Sequence, residues 1–75
     1  MTAAEYPDYM NRVLAKTDGA NIHRVNGLLG IAGSAAMRIE KRKTNRHDEA
    51  DAWDEADRVM IVNAKLEIKK LTGVS

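Results

Sequence analysis

The sequence predicts an all-α protein, a small bundle of about four helices in a single domain spanning residues 1–75. Three observations point there. Apolar residues recur at intervals of three and four and never alternate with the period of two that a half-buried strand requires. The last third of the chain runs from Asp48 to Thr72 without a glycine or proline. A length of 75 residues with 44% apolar and 31% charged side chains suits one globular domain.

Helix one is expected over about 7–17. Pro7 is tolerated in a first helical turn, Tyr9, Met10, Val13 and Leu14 follow at helical spacing, and Asp18-Gly19 is a stop. Asn21 is a candidate N-cap for a second helix over about 22–29, whose apolar face is Val25, Leu28 and Leu29 and whose end is set by Gly30. A third helix is expected over about 33–42, with Ala35, Ala36 and Ile39 on one side and Arg38 and Arg42 on another. Lys43 to His47 reads as a polar connector.

The final helix is expected to be long, about 48–71, with acids at its start and Lys65, Lys69 and Lys70 near its end, in keeping with the helix dipole. At 100° per residue Trp53, Ala56, Met60, Ile61, Ala64, Ile68 and Leu71 share one broad stripe, expected to face the core. Val59, Val62 and Leu66 form a second stripe nearly opposite, a candidate surface for a dimer or another partner.

Composition excludes several functions. There are no cysteines, so disulfides and thiolate metal sites are ruled out. His23 and His47 lack partners at ligand spacing, and no metal or cofactor is expected. No enzyme is expected either: Ser34 has no acid–base pair placed to activate it, and Gly27, Gly30 and Gly33 lack the spacing and preceding strand of a dinucleotide fingerprint. The longest strictly apolar run, Val59 to Val62, is far below the roughly 20 residues of a membrane helix. With no basic start followed by an apolar stretch at the N-terminus, a cytoplasmic protein without a membrane partner is the expectation.

The net charge of +1 conceals a segregation. Residues 20–47 hold six bases against one acid, and residues 48–57 hold six acids and no base. A basic block of this kind can make an anion-attracting surface. The acidic run is read as a solvated helix face.

Two short helices joined by a tight glycine turn, with bases on the second, is a helix-turn-helix arrangement, here placed at 21–42. The run Leu29-Gly30-Ile31-Ala32-Gly33-Ser34-Ala35-Ala36-Met37-Arg38-Ile39-Glu40-Lys41-Arg42-Lys43 resembles the second and third helices of the lambda-repressor-like family of phage repressors, with the likeness covering about residues 20–46. The resemblance implies that Gly30 is the turn glycine and Ile31 plugs the junction. It places Gly33, Ser34, Met37 and Arg38 toward the DNA groove, and Lys43 toward phosphate. Ser34 and Arg38 are then expected to meet bases or adjacent phosphates, and Lys41, Arg42, Lys43 and Arg46 to meet phosphates, with Arg24 assisting. The implied function is a small transcriptional regulator, a phage-type repressor binding double-stranded DNA as a homodimer through Val59, Val62 and Leu66. The alternative is a phage-type helical protein-binding module, an inhibitor or adaptor of a host protein, that uses the same stripe and does not read DNA.

Overall fold

The computed structural model describes all residues, 1–75, and contains only helices: α1 (Tyr6–Ala15), a 3-10 turn (Gly19–Asn21), α2 (Ile22–Thr44) and α3 (Ala50–Thr72). There are three α-helices where four were expected. No helix is long and apolar enough to cross a membrane.

A reciprocal pair of bonds closes the turn that leads into α1. The Thr2 amide donates to Glu5 Oε1 at 2.8 Å and the Glu5 amide donates to Thr2 Oγ1 at 3.3 Å, the pairing that a Thr-x-x-Glu spacing permits. The amide–carboxylate bond also holds the Glu5 carboxyl below its ordinary range. Asn21, expected to cap the next helix, makes no side-chain cap; the 3-10 turn leads into Ile22 instead.

The principal correction concerns residues 22–44. They form one unbroken 23-residue helix, with no turn at Gly30 and therefore no helix-turn-helix bend. Gly30 is exposed, and only Gly73 has a positive φ. A mid-helix glycine costs about 1 kcal/mol relative to alanine. Against that stands a continuous inward row, Val25, Leu29, Ala32, Ala36 and then half-buried Ile39, which is buried only if the helix continues. The row outweighs the glycine. Ile31, expected to plug a junction, instead points outward.

Helices α2 and α3 lie antiparallel, since Arg24 meets Glu67 while Arg42, near the other end, meets Asp54. Each has 23 residues, about 34 Å at 1.5 Å per residue, which accounts for a body of 42 × 18 × 18 Å. The ten-residue α1 covers only half of this hairpin. Beneath it lies the main core, Tyr9, Val13, Val25, Leu29 and Ile68. Beyond it the hairpin retains a thin apolar layer of Ala35, Ala36 and Ile61.

The inward face of α3 also differs from expectation. Ile61, Ala64 and Ile68 are buried as expected, but Trp53 is 52% exposed, with Ala56 and Met60 also outside. In their place the buried face takes in Ala50, Asp54 and Asp57. The helix ends as its sequence suggests, with Gly73 at φ 80° donating its amide to Lys69.

Candidate functional site: an arginine–aspartate network and an apolar stripe

At the far end of the hairpin, where α1 does not reach, side-chain charge replaces apolar packing. Arg42 lies at the centre with its side chain 13% exposed. Its Nε donates to Asp54 Oδ1 at 2.7 Å and its Nη2 to Asp57 Oδ2. Arg38 donates to the other oxygen of Asp57 from Nε at 3.1 Å and from Nη2 at 2.9 Å. Arg46 donates to Asp54 Oδ2 at 3.3 Å and also reaches Asp51. Every oxygen of the two aspartates, whose side chains are 6% and 5% exposed, thereby accepts a charged donor. This is the condition under which buried carboxylates are tolerated.

The electrostatics follow the geometry. The hydrogen bond from Arg42 leads in holding Asp54 below its ordinary range. For Asp57 burial is the largest single influence and pushes upward, but the donors from Arg38 and Arg42 together outweigh it, so its carboxyl too is lowered. Bonds to Asp57 and Asp54 raise the Arg42 guanidinium. At the opposite end, Arg24 bonds to Glu67 and lowers it.

The arginines assigned to DNA are therefore not a free ridge. Arg24, Arg38, Arg42 and Arg46 each hold a carboxylate of α3 or of its first turn. Lys43 pairs with Glu40 at 3.2 Å, leaving Lys41 as the one cation of the basic block without an ion pair. Ser34 and Met37 are exposed in mid-helix, and Gly33 lies buried under the ring of Tyr6 rather than facing a groove. The acidic run is only partly a solvated face, because Asp54 and Asp57 are withdrawn into the hairpin.

The signal for this network was present in the sequence. Arg38 and Arg42 stand four apart on one side of α2 with Arg46 four further on, just past its end, while Asp51, Asp54 and Asp57 stand three apart on one side of α3. Two such rows match when their helices run antiparallel. Charge segregation between adjacent segments was thus a pairing code within the chain.

The second feature is the outer face of α3. Val59, Val62 and Leu66 are 48%, 56% and 55% exposed, and Val62 also lines a groove with Met1, Ala3 and Ile39. Glu55 precedes them and Lys69 follows, so residues 55, 59, 62, 66 and 69 form a row with alternating steps of four and three. No group of three or more His, Cys, Asp or Glu side chains is arranged to hold a metal ion.

No family model matches the chain, and neither the curated proteins nor the solved structures give a match.

Proposed function

We propose that the chain is a helical protein-binding module whose contact surface is the outer face of α3, and that it does not read DNA bases. One observation carries this reading, the allocation of side chains. The arginines expected to meet DNA are paired with carboxylates of the same chain, whereas Val59, Val62 and Leu66 remain half exposed, with Val62 at the rim of a groove it shares with Met1, Ala3 and Ile39. Arg42, 13% exposed, must give up bonds to two buried carboxylates to hold a phosphate, which removes most of the gain, and the carboxylates beside Arg24, Arg38 and Arg46 weaken the attraction of those half-exposed guanidiniums for a polyanion. An aliphatic stripe gains by any contact that takes it out of water, at about 25 cal/mol per Å².

The unbroken α2 supports the same reading. A recognition helix enters the major groove because a turn sets it at an angle to its neighbour, and residues 22–44 have no such turn. The repressor reading rests on the residue pattern of 29–43 alone.

Fluorescence anisotropy with labelled random duplex DNA across a salt series tests the proposal. Each phosphate neutralised contributes a slope of roughly −0.9 in log K against log salt. With Lys41 as the free cation of the basic block, binding is expected to be weak, with a slope no steeper than about −2. Tight binding with a slope near −5, as five or six phosphate contacts demand, overturns the proposal and restores the regulator reading.

A further inference from the structure

We infer that the partner of the α3 stripe is a second copy of this chain, bound with its α3 antiparallel to the first. The inference rests on the protein-binding reading above and names its partner.

The argument is one of charge and symmetry. The stripe is centred on Val62, with Val59 and Leu66 on either side. Ahead of it α3 exposes Asp51 and Glu55, and the residues leading into the helix add Asp48 and Glu49. Behind it the helix exposes Lys69 and Lys70. The carboxylates of Asp54 and Asp57 are neutralised inside the hairpin, Glu67 is engaged by Arg24 and Asp51 by Arg46, so the gradient rests chiefly on Glu55 at one end and Lys69 at the other. A parallel neighbour would set acid against acid and lysine against lysine. An antiparallel copy related by a two-fold axis near Val62 instead sets Glu55 beside Lys69 of its partner, twice. Two cations lie nearer the centre: Lys65, half-buried over the Tyr9 ring, and Arg58, whose 3.2 Å pair with Glu55 of its own helix is exposed and leaves the Glu55 carboxylate 71% in water, open to Lys69 of the partner as well. Steps of four and three along the row keep the same face turned to a neighbouring helix over its length.

Three aliphatic side chains per copy make a small interface, so the dimer is expected in the micromolar-to-millimolar range. Sedimentation equilibrium of the full chain from about 10 μM to about 1 mM measures it. Val62→Asp, which sets two carboxylates against each other at the axis, is expected to weaken association by roughly tenfold or more. Glu55→Lys is expected to weaken it several-fold, and adding Lys69→Glu to that variant is expected to restore it. Equal helical circular dichroism across the set checks that every variant is folded.

A wild-type chain that stays monomeric to the highest concentration overturns the inference, as does a dimer indifferent to Val62→Asp. A dimer lost with Val62→Asp but untouched by Glu55→Lys and by the double exchange overturns the antiparallel arrangement. None of these failures touches the protein-binding reading, which falls instead to salt-steep DNA binding in the anisotropy series. A complex with a different protein at the same stripe, without self-association, refutes the second copy and leaves that reading in place.

Discussion

The ring of Tyr6 occupies the space that a side chain on Gly33 would need: a Cβ there would stand 2.6 Å from Tyr6 Cζ and 2.8 Å from Cε1. The Tyr6 hydroxyl is fixed in turn by donating to the Leu29 carbonyl at 2.9 Å. The start of α1 is thus latched to the middle of α2 through a residue with no side chain. The glycine that resembled a groove-facing position serves a close approach between helices.

That latch separates the three α2 glycines. Gly33→Ala must displace the Tyr6 ring and its hydrogen bond, and is expected to destabilise the fold by about 1–2 kcal/mol despite alanine's better helix propensity. Gly27 and Gly30 have nothing within 4 Å of an added Cβ. Gly30→Ala is therefore expected to stabilise by about 0.5–1 kcal/mol, where a glycine required for a turn would give a loss. Thermal or urea unfolding followed by circular dichroism decides the sign.

Tyr9 differs from Tyr6 in having a buried hydroxyl without a hydrogen-bond partner. Burial raises its pKa, and Lys65 and Arg12 lie over its ring at 5.3 and 5.9 Å. Tyr9→Phe keeps the ring and relieves the hydroxyl, so a gain of about 1 kcal/mol is expected. A loss of that size in urea unfolding would mean that the hydroxyl is satisfied in solution.

Asp57 accepts from both Arg38 and Arg42 inside the hairpin. Its replacement by alanine leaves Arg42, 13% exposed, with an unmatched donor. The expected loss is about 2–3 kcal/mol, below the roughly 3–5 kcal/mol of a fully enclosed pair because Arg38 stays half in water. Val59→Ala on the outer face is expected to stay within about 0.5 kcal/mol in the monomer. Chemical denaturation of the two variants at low concentration provides the comparison.

Acid should act through the carboxylates that arginines hold at both ends of the hairpin. Asp54, Asp57 and Glu67 all have lowered folded-state pKa values. A lowered value means that the unfolded chain takes up protons first, so the stabilisation is complete above the ordinary carboxylate range and disappears as pH falls through the folded values. The melting temperature is expected to be flat from pH 7 to about 5 and to fall below about 4. Asp57→Asn should flatten the fall. A melting temperature that rises on acidification would contradict the network.

Much of the fold was legible. The Pro7 start and Asp18-Gly19 stop placed α1 within two residues, and the acidic start and Gly73 end placed α3 equally well. The exposed stripe Val59, Val62, Leu66 also followed from spacing alone. Among the expectations the structure overturns, two show why. Gly30 was given a turn that the surrounding alanines and inward row override, and Trp53 was given to a core that takes Asp54 and Asp57 instead. In both cases the local residue type suggested one thing and the neighbouring helix imposed another.

By itself the sequence determined that the chain is helical, where α1 and α3 begin and end to within two residues, and which face of α3 is left half exposed. These depend on propensity, capping and periodicity, which act over a few residues. The tertiary structure alone decided that 22–44 is a single helix and that its arginines turn to α3 rather than to solvent. That choice belongs to the antiparallel hairpin, because a guanidinium finds two buried carboxylates only after another helix, 12 to 19 residues further along, has been laid against its own.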